Sequence, residues 1–243
     1  MRAARLEARL REVGTLDRAQ GEKAYLRSDL DFLGVTVWQI RTEVRAAVEG
    51  MDRFAHDDLV GLVEALWSGS IFDRRMAASV LLDLRSGLLD RHDLPLLERL
   101  LRDSRTWALV DGLAADVVGS ILAADEAGTT PVLDRWARDE DFWIRRSALL
   151  AWLKPLRRGA PLDRFLAYAD AMLEEKEFFI SKAIGWVLRE VGKRRPSEVS
   201  DWLAPRTHRA SGVTMREATK YLPKPDGERL MQAYRERQPA PSR

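Results

Sequence analysis

Residues 142–153 read FWIRRSALLAWL. An aromatic, Phe142, is followed four residues later by a cation, Arg146, and then by small and apolar side chains. Apolar residues three and four apart share one face of an α-helix, so the stretch reads as an amphipathic helix with its aromatic at the start. The figure recurs along the chain. Phe72 and Met76 precede AASVLLDL, Trp107 and Asp111 precede GLAADVV, and Phe178 and Lys182 precede AIGWVL. The aromatics follow one another at intervals of 35, 35 and 36 residues. A constant interval of this size is one supersecondary unit that cannot bury its apolar face alone, and stacking such units builds a continuous core. The expected fold class is therefore all-α, an α-solenoid of antiparallel helix pairs.

Breakers divide the remainder into short pieces: Gly50, Gly69, Gly87, Pro95, Gly128 to Pro131, Pro155, Gly159 to Pro161, Pro196, Pro205 and Pro223 to Pro225. They predict some 12 to 14 short helices joined by tight turns. Val35 to Ile40 has strand-like composition but no partner strand, and reads as a helix start after the turn Phe32-Leu33-Gly34. Residues 1–237 are expected to form one repeat domain, with 238–243 a disordered tail.

At 243 residues, 46% hydrophobic and 32% charged, the chain can bury a substantial core. It has no cysteine, which removes disulfides, thiol nucleophiles and thiolate metal sites. No apolar run is expected to reach the length of a bilayer span, and MRAARLEARLREV (1–13) does not read as a secretory signal. A cytoplasmic location, nucleoid-associated when bound to DNA, is the expectation, with no membrane partner. The net charge is only +2, so the placement of charge matters more than its sum. Arg145, Arg146, Arg157, Arg158, Lys182, Arg189, Lys193, Arg194 and Arg195 crowd the second half. Eight tryptophans are many for this length, and most are expected to be packing residues.

Stacked repeats align equivalent positions on one surface. Here that row reads Met76, Asp111, Arg146, Lys182. Trp107 lies one turn before Asp111 and Trp186 one turn after Lys182, so an acid among indoles and cations is a candidate active site. The alternative is an inter-repeat ladder, in which Asp and Arg at matched positions only bond neighbouring repeats, and the register alone favours the ladder. His56, His92 and His208 are too scattered for a metal site or a catalytic triad and are expected at the surface. No glycine cluster forms a phosphate-cradling loop.

Glu177 to Glu190, EFFISKAIGWVLRE, closely resembles the signature of the AlkD-like DNA alkylation repair family. Tyr25 to Leu30 with Phe32-Leu33-Gly34, Trp107 with Asp111, Phe142 to Arg146, and Met215 to Ala218 extend the resemblance from about Tyr25 to about Tyr221. Trp38 stands where that family is expected to have proline. The resemblance implies a superhelix of HEAT-like helix pairs with a basic concave groove holding duplex DNA. It implies a monofunctional glycosylase that releases cationic N3- and N7-alkylated purines such as 3-methyladenine and 7-methylguanine in base excision repair. By position, Asp111 would be the catalytic carboxylate, Trp107 and Trp186 the indoles of its cleft, and Arg146 the cation beside it. Arg145, Lys182, Arg189 and Tyr25 are further candidate DNA contacts.

The chemistry suits a single acid. Expelling a cationic purine yields a neutral base, so the leaving group needs no general acid. Positive charge instead develops on the sugar, as in glycoside hydrolysis, where a fixed carboxylate stabilises it and orients water. The resemblance further implies that the lesion stays stacked rather than flipping into a pocket. No lysine stands out as a Schiff-base nucleophile, so no strand-cleaving activity is expected. No cofactor and no metal are expected, and the chain is expected to be a monomer. Two other readings stay open. One is a non-catalytic binder of distorted or branched DNA; the other is a protein-interaction scaffold, favoured if Arg146, Lys182 and Arg189 leave no net positive potential.

Overall fold

The helix starts predicted by the repeat are where the chain places them. A computed structural model describes residues 2–50 and 54–236; the expected disordered tail, 238–243, lies outside the described residues. It divides into two compact units, residues 1–129 and 130–243. Unit 1 holds α1 (Arg2–Val13), α2 (Leu16–Leu26), α3 (Val37–Val48), α4 (His56–Trp67), α5 (Phe72–Leu84), α6 (Leu94–Ser104), α7 (Trp107–Gly112) and α8 (Gly119–Ala124). The division falls within α9 (Glu126–Trp136). Unit 2 continues with α10 (Phe142–Leu150), α11 (Leu153–Arg157), α12 (Asp163–Ala171), α13 (Phe178–Gly192), α14 (Pro196–Leu203), α15 (Gly212–Ala218) and α16 (Lys224–Glu236). No strand occurs among the described residues, only an isolated bridge between Asp31 and Ile71. The fold is an all-α repeat of the solenoid class.

Phe72, Trp107, Phe142 and Phe178 are each the first residue of their helix. The period extends further than the aromatics reveal, because α3 begins at Val37 and α15 at Gly212. Six helices thus start at intervals of 35, 35, 35, 36 and 34 residues. Side chains cap most of these starts. The Thr36 hydroxyl accepts from Gln39 N at 3.2 Å while the Gln39 amide oxygen accepts from Thr36 N at 3.0 Å. Asp141 accepts from Trp143 N at 2.8 Å, Glu177 from Phe179 N at 3.2 Å, and Ser211 from Thr214 N at 3.1 Å. Each satisfies a backbone donor the helix cannot use itself. Val35 to Ile40 is accordingly a helix start, as its lack of a strand partner predicted.

Charges join successive repeats within each unit. Asp73, fully buried at the second position of α5, accepts from Leu33 N at 2.6 Å and Val35 N at 2.9 Å. Beside it Phe32 stacks on Phe72 with ring centroids 4.6 Å apart. Gly34 has φ +77, and a Cβ there would meet Thr15 O at 2.1 Å, so only glycine fits this turn against α2. Arg75 pairs with Asp103 at 3.1 Å and donates to the carbonyls of Gly69 and Asp103. Two repeats later Arg145 does the same with Glu175 at 2.8 Å and the carbonyls of Asp139 and Glu140. An inter-repeat ladder therefore exists, one residue ahead of the row containing Asp111.

Three expectations are corrected. The helix α9 runs through Gly128 to Pro131, read above as a break. Asp125 caps its start by accepting from Gly128 N at 2.9 Å, and Pro131 sits mid-helix as the sixth of its eleven residues, where it forfeits one backbone bond. Pro155 likewise lies inside α11 rather than ending it. An apolar stretch of spanning length does occur, Trp107 to Ala124, with mean hydropathy 1.6 over 18 residues. It is 56% buried inside the protein, as befits a core helix. Of the tryptophans, Trp67, Trp136 and Trp152 are buried as expected, whereas Trp38 is 75% exposed. The three histidines are exposed.

Candidate active site

In unit 1, α7 carries Trp107 at its first position and Asp111 one turn later, both half-buried. The helix is positioned from both sides. The Thr106 carbonyl accepts from Leu109 N and Val110 N, each at 3.2 Å, and a Cβ on Gly112 would come within 3.2 Å of Ser79 Oγ. Tyr25, near the end of α2, meets Trp107 edge to face with centroids 6.0 Å apart, and is itself 75% exposed. The structure thus brings together three of the residues singled out in the sequence: Tyr25, Trp107 and Asp111.

One feature of this helix carried no signal in the sequence. From Leu113 to Val118 the helix winds as a π-helix before returning to α-geometry in α8. A π turn inserts an extra residue and rotates everything beyond it, and such turns are concentrated at functional sites. The small and apolar side chains of LAADVV suit either winding, so periodicity could not distinguish them.

In unit 2 the cations are engaged. Arg146 is 2% exposed, donates to Phe179 O, and lies over the Phe179 ring at 5.7 Å. Phe142, Trp143 and Phe179 cluster beside it, with centroids 4.5 to 6.2 Å apart. Arg145 is spent on the ladder to Glu175. Lys182 and Arg189, two turns apart on α13, both pair with Glu217 of α15. Gly185 lies on the same face between them. A Cβ at Gly185 would sit 2.6 Å from Glu217 Cβ and 3.2 Å from Thr214 Cα, so this glycine lets the two helices meet and seats the carboxylate. Burial pushes the Glu217 pKa up, but hydrogen bonding from Lys182 and the charges of Arg189 and Lys182 outweigh it and hold the group below the ordinary glutamate value. Trp186, one turn after Lys182, is half-buried on α13. Glu217 falls within the Met215 to Ala218 match, but its role as the shared partner of two cations was not legible in sequence. Among the described residues no group of three His, Cys, Asp or Glu side chains could hold a metal ion.

An all-α repeat protein with an acid and an indole at one repeat position, and cations at the equivalent positions later in the chain, is the class these observations define. The family model of DNA alkylation repair enzymes matches residues 6–222. The chain belongs to that family. Among solved structures it is similar to a predicted DNA alkylation repair enzyme from Enterococcus faecalis, at 22% identity and a TM-score of 0.78. That likeness covers 87% of this chain and 97% of the other. A comparison with curated proteins finds no match.

Proposed function

We propose that the chain is a monofunctional DNA glycosylase, hydrolysing the N-glycosidic bond of cationic alkylated purines in duplex DNA. The observation that carries this reading is Asp111, half-buried one turn from Trp107, whose ring is in turn held by Tyr25, in a member of an alkylation repair family. A carboxylate held by a helix among aromatic faces stabilises positive charge developing on deoxyribose and can orient the attacking water. The indole of Trp107 contributes cation–π attraction of roughly 0.5–2 kcal/mol. Tyr25 holds the backbone beside the lesion and the damaged base stays in the stack; Lys182 and Arg189 of unit 2 are further DNA contacts, whereas Arg146, buried and bonded to Phe179 O, is a packing residue. Lys182 is committed to Glu217, which suits base release without a Schiff-base intermediate and therefore without strand cleavage.

Incubation with methylated duplex DNA tests the reading. Free 7-methylguanine and 3-methyladenine are expected in the supernatant, with an equal number of abasic sites in an uncut strand. Binding without any released purine would favour the non-catalytic reading, a binder of distorted or branched DNA. A specific observation keeps that reading in view: Lys182, Arg189 and Glu217 together leave one net positive charge.

A further inference from the structure

Two residues other than glycine have positive φ among the described residues, and both are arginines. Arg27 (φ 48) ends α2 and Arg105 (φ 48) ends α6. The left-handed conformation brings Cβ against the backbone, which is why glycine or asparagine usually fills it at a helix end. The chain follows that rule elsewhere, with Gly34, Gly50, Gly69 and Gly159 at its other positive-φ positions. Arginine at two such positions needs a reason, and strain of this kind is a pointer to function.

Their placement supplies one. Arg27 lies two residues after Tyr25, and Arg105 two residues before Trp107. Tyr25 and Trp107 touch, so the two arginines bracket the aromatic pair, each within about 7 Å of its neighbour's Cα along the chain. Both are exposed. Neither makes a hydrogen bond or an ion pair, unlike Arg74, Arg75, Arg145 and Arg189. Two of the acids near them in sequence, Asp103 and Asp31, are already engaged. Asp103 accepts from Trp67 Nε1 at 2.9 Å and pairs with Arg75, and Asp31 accepts from Ser70 Oγ at 2.8 Å. An exposed guanidinium with all its donors open, on a backbone fixed by a helix end, is built to take a phosphate in a forked geometry.

We propose that Arg27 and Arg105 form a two-point phosphate clamp that seats the DNA backbone across the Tyr25–Trp107 pair. The proposal rests on the glycosylase reading and names the backbone contacts of that same site. The clamp explains why the turns carry arginine: the side chain is needed on the duplex, and the helix end tolerates the strain.

The test uses the full-length protein and a fluorescein-labelled methylated duplex titrated at several salt concentrations. Glycine suits the left-handed turn, so R27G, R105G and the double variant are expected to keep or raise the wild-type melting temperature. Each single variant is expected to bind roughly tenfold more weakly. The log-affinity against log-salt slope is expected to flatten by about 0.9 for each single variant and about 1.8 for the double. R27K and R105K, which keep the charge, are expected to recover the wild-type slope. Wild-type affinity and slope in the double glycine variant, with base release intact, would overturn the clamp and leave the glycosylase reading standing. A wild-type protein that binds no duplex would remove both.

Discussion

Asp111 and Glu217 lie near the starts of helices three repeats apart, Glu217 one residue beyond the register of Asp111, and their surroundings differ. Glu217 neutralises two cations in a tight contact between α13 and α15, whereas Asp111 stands one turn from an indole. The contact at Glu217 makes two predictions at the scale of single residues. Gly185→Ala forces a methyl group into the Glu217 and Thr214 atoms, and is expected to cost about 1–3 kcal/mol of unfolding free energy in urea titrations. The second concerns pH. The folded protein holds the Glu217 pKa below its ordinary value, so its stabilising contribution is present above the unfolded value and lost as pH falls through the folded one. Wild type is therefore expected to exceed Glu217→Gln in stability at pH 7, and the gap to narrow below about pH 4.3. A gap that stays constant down to pH 3 would show that the ion pairs contribute nothing. Sequence exposed Asp111, Trp107 and Trp186 because a period placed them, but it could not expose the arginines at positive φ. Nothing in Leu26-Arg27-Ser28 or Ser104-Arg105-Thr106 announces a left-handed turn, since glycine, the usual signal, is missing.

Among the elements, the helices that begin each repeat were the most legible. An aromatic first residue and a Ser, Thr, Asp or Glu just before it mark α10 and α13, and the interval then locates α5 and α7. Val37 and Gly212 carry the same phase without an aromatic, which hid the outer two repeats from a search keyed on rings. Helix α9 was read as a break because Gly128 and Pro131 are breakers on average, while the Asp125 cap is a local compensation that composition does not show. The π-helix after Asp111 lies beyond any pattern of apolar residues. Asp73 bears the coupling of α5 to the turn before α3, with two backbone donors, one buried and one part-buried, depending on it. Its replacement by alanine is expected to cost about 3 kcal/mol, because both donors lose a charged acceptor and the buried Val35 N is left without one. Denaturant midpoints of D73A against wild type check this, and a change below about 0.5 kcal/mol would contradict it.

For the whole molecule, fold was more legible than function. A 35-residue period can be read from one chain, whereas the same period serves catalytic and passive solenoids alike. Function entered through a single acid on a short helix, together with a family whose matched region runs from residue 6 to residue 222. The cations expected to face DNA are partly consumed internally: Arg145 by Glu175, and Lys182 and Arg189 by Glu217. Affinity for duplex DNA then depends on fewer free charges than the basic second half suggests. In the proposed reaction the chemistry depends on Asp111.

That dependence is tested most directly by following purine release from methylated duplex DNA under single-turnover conditions, for wild type and Asp111→Asn side by side, with duplex affinity measured on the same samples. Asp111→Asn is expected to release purines at least about a hundredfold more slowly while binding duplex as tightly as wild type or more tightly. Release at the wild-type rate from the asparagine variant would contradict the account.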